Sequence, residues 1–402
     1  MRLRYKATTT DGKIVQGLME ANDVNEAAGY IRGKGLFPIQ IKKQGDNPII
    51  AKFFPFFNKI SSNDIILFTR QLSSMLSSGL TLLRSLQIFK DQIQNETMIN
   101  VVSGIINDIE EGKPFSYAIE KNPDVFSPIY VSLIKAGESS GLLDKVLLRL
   151  ANNLEKQSKL RSTVRSALMY PAIVVILMIF VVFIMMIFVI PQLSILYKNL
   201  NVPLPLPTKI VVGLSGAVGT FWPVILVLLG VFIFLYRRWR KTEDGQLIFD
   251  NFILKLPVFG KLIEETILAE FSRTFGLLIG TGTLVVESLL ETAETTGNIH
   301  YKNAVKDVSK QVEKGVSIGD AMSSYSLFPP MLIQLVKIGE QTGKLDETLT
   351  KASEYFEEQV NEKVKTLTTA LEPFIMIVLG VGVAFLIISV ITPIYSLISS
   401  LQ

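Results

Sequence analysis

The stretch KAGESSGLLD at 135–144 returns 202 residues later as KIGEQTGKLD at 337–346. Both copies follow the pattern Lys-x-Gly-Glu-x-x-Gly-x-Leu-Asp. Glycines and acids in this arrangement are found in phosphate loops, in cation loops and at corners between helices. The choice among the three separates an enzyme, an ion-regulated protein and a scaffold.

The repeated stretch belongs to a longer internal duplication, which is the first feature to settle in reading a fold. An offset of 203 relates Phe68, Arg70, Gly79, Ser85, Leu86, Gly112 and Ala118 to Phe271, Arg273, Gly282, Ser288, Leu289, Gly315 and Ala321. From Phe126 onward the offset is 202, and it relates Pro171 and Pro191 to Pro373 and Pro393. The duplicated unit is therefore a module followed by an apolar run.

Three uncharged apolar runs dominate the hydrophobic content, which is 49% of the residues: Ser166–Tyr197, Ile210–Tyr236 and Pro373–Gln402. Each exceeds the roughly 20 residues that a helix needs to cross a bilayer. They predict transmembrane helices at 168–194, 210–236 and 373–396. The second has no counterpart in the duplication, and it is needed to return the chain to the side on which it started.

Basic residues flank these runs unevenly and so predict the orientation. Four precede the first run and four follow the second, namely Lys156, Lys159, Arg161, Arg165, Arg237, Arg238, Arg240 and Lys241. By the positive-inside rule, residues 1–165 and 237–372 are cytoplasmic. The N-terminus lacks the apolar stretch of a signal peptide and is expected in the cytoplasm, with the loop 195–209 and the C-terminus extracytoplasmic.

Spacing of apolar residues predicts two homologous cytoplasmic six-helix bundles, at 61–165 and 264–369. Glycines at 79, 112 and 141 fall where helices should end with a positive φ, and Pro114 and Pro128 fall near helix starts. Residues 1–43 predict a small ββαβ domain with a capping box of Asp23 and Glu26 and a helix end at Gly35. The fold class is thus an all-α integral membrane protein with a small N-terminal α+β domain.

The linker 44–60 contains FFPFF at 53–57, an unusual composition for a connecting segment. It packs on the first bundle, enters the membrane interface or binds a partner, and the sequence leaves these alternatives open.

Residue patterns for catalysis are missing from the sequence. It contains no G-x-x-x-x-G-K-[ST], and GTGT at 280–283 occupies a corner between two predicted helices. The single histidine, His300, is expected to be an exposed residue at a helix start. No basic, aromatic-interleaved stripe indicates nucleic acid. We therefore expect neither an enzyme nor a bound cofactor.

The repeated acids leave one ion-binding alternative open. Glu138 with Asp144, and Glu340 with Asp346, are weak calcium candidates, because carboxylates six residues apart around a turn can converge on a hard cation. In the structural interpretation Gly141 caps one helix and Asp144 caps the next, while Glu138 has no evident local task. A channel or transporter is disfavoured by the uncharged spans. Glu372, at the start of the third span, is either solvated or paired with a basic group.

The repeated corner, the stretch NDIILFTRQLSSMLSSGLTLL at 63–83, and the ALMYP and ALEP span entrances resemble the type II secretion system F domain family, the PilC/GspF group. The resemblance covers nearly the whole chain. Its motif residues here are Gly137, Glu138, Gly141, Leu143, Asp144, Gly339, Glu340, Gly343, Leu345, Asp346, Pro171, Glu372 and Pro373.

The resemblance implies a non-enzymatic inner-membrane platform of a type IV pilus or type II secretion machine. The implied partners are a hexameric cytoplasmic assembly ATPase, a retraction ATPase in a pilus system, pilin or pseudopilin subunits, inner-membrane alignment proteins, membrane lipid and further copies of the chain. As a mechanism we expect the bundles to pass ATPase motion, as rigid bodies, to membrane helices that begin at Pro171 and Pro373.

Overall fold

A computed structural model describes residues 2–8, 14–21, 23–43, 59–192, 195, 206–257 and 259–400. FFPFF and most of the predicted extracytoplasmic loop lie outside the described residues. The contacts divide the chain into two compact units, one formed by Met1–Phe68 and Leu82–Lys113 and the other by Thr69–Thr81 and Pro114–Gln402.

The N-terminal part of the first unit is a three-stranded antiparallel sheet with one helix. The strands are β1 (Arg2–Thr8), β2 (Ile14–Glu20) and β3 (Phe37–Lys43), in the order β2-β1-β3, and helix α1 (Val24–Gly33) precedes β3. The Asp23 carboxylate accepts a hydrogen bond of 2.6 Å from the Glu26 amide, which caps α1 as predicted. The element order ββαβ agrees with the prediction.

Three helices follow, and the first passes from one unit into the other: α2 (Ser62–Ser77), α3 (Leu82–Gln92) and α4 (Glu96–Glu110). Within the first unit, the rings of Phe68 and Phe89 meet edge to face at 5.1 Å. Asn95 begins α4 by accepting hydrogen bonds from the Thr97 and Met98 amides. The buried side chains of α3 and α4 recur at the three-and-four spacing of one helix face: Leu86, Phe89, Met98, Val102 and Ile105.

The second unit contains short helices and two very long ones. The short helices of the first copy are α5 (Phe115–Glu120) and α6 (Pro128–Ser140), and the long helix α7 (Leu143–Ile184) follows. After α8 (Leu206–Trp239) and α9 (Glu243–Lys255) come the helices of the second copy, α10 (Phe259–Gly280), α11 (Val285–Thr295), α12 (Ile299–Glu313), α13 (Ile318–Ser323), α14 (Pro330–Thr342) and α15 (Leu345–Ser400). Pro114 and Pro128 stand at helix starts, and the predicted caps Gly79, Gly112 and Gly141 have φ of 87°, 82° and 68°.

The long helices contradict one prediction. Pro171 lies inside α7 and Pro373 inside α15, so no separate membrane helix begins at either proline. A proline lacks the amide proton of one helical hydrogen bond, but the turns on both sides keep theirs and the helix continues. Helix α7 extends through one π-helical turn, Met185–Val189, as far as Gln192.

Among the described residues, two helical stretches are long and apolar enough to cross a membrane, Leu143–Gln192 and Leu345–Ala384. Their apolar ends are exposed, as Ile176 and Phe180 illustrate at 63% and 56%. Helix α8 contains the second uncharged run, and its Val227 and Phe232 are 65% and 66% exposed.

The core of the second unit forms where α10 packs along α15. Leu160 of α7 is buried in the same cluster as residues of the second copy. The long helix of the first copy therefore packs directly against the second. The largest fully buried side chains of the cluster are Phe275 and Tyr301, and other members include Phe271, Phe328, Val336, Leu349 and Phe356.

Candidate functional site: the repeated corner

Each repeated stretch is a corner between two helices. Helix α6 ends at Ser140 and α14 at Thr342, and the next residues, Gly141 and Gly343, have φ of 68° and 67°. The Leu142 amide then donates to the Gly137 carbonyl at 2.9 Å, and the Lys344 amide donates to the Gly339 carbonyl at the same distance. This is the six-to-one hydrogen bond of a helix C-terminal cap, so neither stretch is a phosphate loop.

The first glycine of each corner lets two helices approach closely. A Cβ atom on Gly137 would lie 3.0 Å from the Val146 side chain. A Cβ on Gly339 would lie 2.1 Å from Thr348 Oγ1 and 2.8 Å from the Leu345 Cα. The glycine is thus required by packing against the following helix, most strictly in the second copy.

Glu138 anchors the start of helix α5, so the prediction that it has no local task is wrong. Its Oε1 accepts a hydrogen bond of 2.6 Å from the Phe115 amide. Its Oε2 accepts bonds of 3.0 Å from the Ser116 amide and 2.6 Å from the Ser116 hydroxyl. The first amides of a helix have no partner within the helix, and a carboxylate also stabilises the positive end of its dipole.

Glu340 makes the equivalent contact in the second copy. Its two carboxylate oxygens accept from the Ile318 amide at 3.0 Å and from the Gly319 amide at 3.3 Å, at the start of α13. Gly319 stands where the first copy has Ser116, so no hydroxyl adds a third bond. The glutamate of the motif thus joins the corner to the short helix about 20 residues earlier in both copies.

Asp144 does not cap the long helix as predicted. The N-cap of α7 is Leu142, which makes no side-chain capping bond, and Asp144 lies within the first turn. Asp346 likewise lies in the first turn of α15. Both carboxylates are placed to stabilise the helix dipole without bonding a free amide.

The calcium hypothesis for Glu138, Asp144, Glu340 and Asp346 remains a prediction. Both oxygens of each glutamate already accept backbone hydrogen bonds. Within the described ranges no group of three or more His, Cys, Asp or Glu residues is placed to hold a metal ion.

A second repeated contact was missed at the sequence level. The Arg70 guanidinium binds Glu155 through Nε at 2.8 Å and Nη2 at 2.6 Å, and the hydrogen bond lowers the pKa of Glu155. In the second copy the Arg273 Nε and Nη2 bind Glu357 Oε1 at 3.1 and 2.8 Å. Each pair joins the first helix of a copy to its long helix. The sequence showed that the two arginines are repeated. The two glutamates also match, at an offset of 202, and this match was the signal from which the arginine–glutamate pairs could have been predicted.

Polar contacts also connect α7 with the second copy. The Arg149 guanidinium donates to the Gly280 carbonyl at 2.5 Å, and the Lys156 ammonium pairs with Glu354 at 3.0 Å. Arg161 lies 3.6 Å from Glu270. Gly280, from the GTGT stretch, ends α10, so this stretch is a helix corner as expected.

The remaining candidates have ordinary surroundings. His300 does lie in the first turn of α12 but is half-buried, and its Nε2 is 3.2 Å from the Leu247 carbonyl oxygen, so the expectation of an exposed side chain is wrong. Glu372 is exposed within α15. Among the residues that the structure describes, neither is accompanied by the partners that a catalytic site requires.

Comparison with known proteins agrees with the duplicated architecture. The family model described as type II secretion system (T2SS), protein F matches twice, at residues 68–191 and 271–393. A second model, type II secretion system protein F, N-terminal domain, matches residues 4–42.

Relatives are similar over nearly the whole chain. The type IV pilus assembly protein PilC of Thermus thermophilus is 36% identical over 401 residues, which cover 99% of this chain and 98% of the relative. The type IV pilus assembly protein TapC of Aeromonas hydrophila is 35% identical, covering 98% and 95%. The type II secretion system protein F of Xanthomonas campestris is 29% identical, covering 99% of each. The chain belongs to the type II secretion system protein F family.

Proposed function

We propose that this chain is a platform protein of a type IV pilus or type II secretion machine in the cytoplasmic membrane. The observation that carries the proposal is the similarity, over nearly the full length, to proteins named for pilus assembly and for type II secretion. The platform organises other components and does no chemistry of its own.

The proposed topology has three membrane helices, formed by the apolar parts of α7, α8 and α15. The N-terminus and both copies are cytoplasmic, and the C-terminus is extracytoplasmic. Two observations support this arrangement: the exposed apolar surfaces of these helices, and the basic residues that immediately precede the apolar part of α7 and follow that of α8.

The proposed mechanism couples a hexameric cytoplasmic ATPase to pilin or pseudopilin subunits at the membrane. Helices α7 and α15 each run without interruption from a repeated corner into an apolar end. A displacement applied to a corner is then carried along one continuous helix, because the turns on both sides of Pro171 and Pro373 keep their backbone hydrogen bonds. The Lys156–Glu354 and Arg161–Glu270 pairs hold α7 against the second copy.

Deletion of the gene tests the platform role. We expect loss of surface pili, or loss of secretion in a type II system, with restoration by the intact gene. Pilus counts by electron microscopy and assays of secreted protein would measure this. A deletion strain that keeps both pili and secretion contradicts the role.

Two glycines in α7 test the coupling. Ser162 and Ser166 are exposed and lie one turn apart just before the apolar end, so Ser162→Gly with Ser166→Gly destabilises the helix by roughly 0.5 kcal/mol per glycine. We expect fewer pili while co-purification of the ATPase is unchanged. The matched control is Asn100→Gly with Asn107→Gly, at exposed positions of α4. Unchanged pilus numbers in the α7 variant would show that the helix is not the coupling element.

A further inference from the structure

A cavity of about 1090 Å³ lies at the polar end of α8. Its walls come from the end of α8, from α9 and from the region where α12 begins. Ile233 and Phe234 contribute apolar surface, while Arg237, Arg240 and Lys241 contribute positive charge. The volume is at the upper limit of the roughly 300–1,000 Å³ of small-molecule sites, so it is large enough for a bulky headgroup.

The acidic residues that line this cavity are already engaged. Asp250 accepts a hydrogen bond of 2.8 Å from the backbone amide of Ile299, the first residue of α12. Glu294 pairs with Lys302 at 2.7 Å and with Lys306 at 2.6 Å. Asp250 keeps its negative charge, but the five basic side chains of the lining outnumber its two carboxylates.

Four basic residues, Arg237, Arg238, Arg240 and Lys241, follow the apolar run and line the cavity. In the part of the chain that the structure describes, none of them forms an ion pair with a carboxylate. Positive charge of this density beside an opening favours an anion.

Arg240 is held in place by aromatic packing. Its guanidinium carbon is 4.3 Å from the centroid of the Phe249 ring, and Phe249 contacts Tyr236 edge to face at 5.8 Å. Stacking engages the face of a guanidinium and leaves its in-plane N–H groups available, which is the geometry that binds two phosphate oxygens at once.

We propose that this cavity binds the phosphate headgroup of an anionic phospholipid, with the acyl chains along Ile233 and Phe234. The inference rests on the membrane topology given under Proposed function. Basic flanks alone are expected at the cytoplasmic end of any span, but a cavity with apolar and basic walls and a stacked arginine provides both surfaces that such a lipid needs.

Fluorescence quenching by brominated lipids tests the site. The chain has two tryptophans, Trp222 and Trp239, and the ring of Trp239 lies 6.4 Å from that of Tyr236 at the cavity. Full-length Trp222→Phe protein is placed in phosphatidylcholine vesicles that contain a minor fraction of either brominated phosphatidylglycerol or brominated phosphatidylcholine. We expect the anionic lipid to quench Trp239 more strongly, by about twofold or more.

Two double variants make the comparison specific. Arg237→Gln with Arg240→Gln removes two cavity charges and should abolish the preference, while Arg238 and Lys241 keep the basic flank that orients α8. Lys255→Gln with Lys261→Gln removes two exposed charges that do not line the cavity, and the preference should remain.

Each contrary result has a distinct meaning. Equal quenching by the two lipids, or the same loss in both double variants, overturns the lipid site. Relief of the quenching by millimolar inorganic phosphate assigns the cavity to a soluble phosphate instead. Protein that fails to float with the vesicles overturns the membrane topology, and with it the inference.

Discussion

The two copies of the duplicated module keep the same polar contacts but give them opposite surroundings. In the first copy the corner glutamate, Glu138, is half-buried and accepts three hydrogen bonds, whereas its counterpart Glu340 is exposed and accepts two longer ones. The arginine–glutamate pair shows the reverse. Side-chain exposures are 33% and 44% for Arg70 and Glu155 but 8% and 20% for the second-copy pair.

The difference follows from packing around the first helix of the second copy. Helix α10 contacts both α15 and α7, so Arg273 on α10 is enclosed. The contribution of a repeated residue to the stability of the protein therefore depends on the helices that cover it. The same residue type in the other copy need not stabilise the protein equally.

The largest effect is expected from removing the buried arginine. Arg273→Ala removes the buried cation from Glu357, whose own side chain is 20% exposed, so the loss should approach the lower end of the roughly 3–5 kcal/mol that breaking a buried pair costs. Arg70→Ala removes an exposed pair that contributes about 0.2–1 kcal/mol. Thermal unfolding of the full-length protein in detergent, followed by circular dichroism, would measure both.

The double variant Arg273→Ala with Glu357→Ala is the control. Removing both partners should recover part of the loss, because no uncompensated charge remains. Equal destabilisation by Arg273→Ala and Arg70→Ala would break the contrast between the copies.

The next largest effect is expected from the glycine of the corner. In Gly339→Ala the new Cβ meets Thr348 Oγ1 and the backbone at Leu345, an overpacking that costs about 1–3 kcal/mol. In Gly137→Ala the nearest atoms, Cβ and Cγ2 of Val146, are 3.0 Å away, so the overlap and the loss should be smaller. Thr348→Ala in the Gly339→Ala background should restore part of the stability, and no restoration would argue against this steric account.

Local sequence patterns predicted most of the secondary structure but not the long-range contacts. The capping glycines and the ββαβ order follow from residues close to one another in the chain. The helix through Pro171 was not predicted, because proline is also common at helix starts and only the surrounding turns decide. The bond from Glu138 to Phe115 spans 23 residues, and the burial of Arg273 depends on a helix from the other copy, so neither has a local signature.

The corner glutamates are expected to give a smaller difference in stability between the two copies. Loss of a helix-capping carboxylate typically costs about 0.5–2 kcal/mol, and the fuller set of donors places Glu138→Ala above Glu340→Ala. Hydrogen exchange should accelerate at the Phe115 and Ser116 amides in the first variant and, less strongly, at Ile318 and Gly319 in the second.

Neighbouring exposed residues provide matched controls for this measurement. Ser139→Ala and Gln341→Ala, one position beyond each glutamate, should leave exchange at the same amides unchanged. Equal acceleration in the two glutamate variants would mean that burial and donor number do not distinguish the two contacts.

The smallest effect concerns a position at which the copies differ in polarity. Glu291 stands where the first copy has Ile88. Among the described residues its Oε2 is buried without a hydrogen-bond partner, and burial raises its pKa, with a smaller increase from repulsion by Glu287 and a hydrogen bond with Ser132 acting against both. A raised pKa means that the native state favours the protonated carboxyl, so its contribution to stability decreases as pH rises above the ordinary value of about 4.3. Glu291→Gln should therefore raise the melting temperature at pH 7 but not near pH 4, where the carboxyl is largely protonated. The exposed control Glu313→Gln should show no such pH dependence. A gain of the same size at both pH values would assign the effect of Glu291→Gln to packing, because only an ionisation effect disappears in acid.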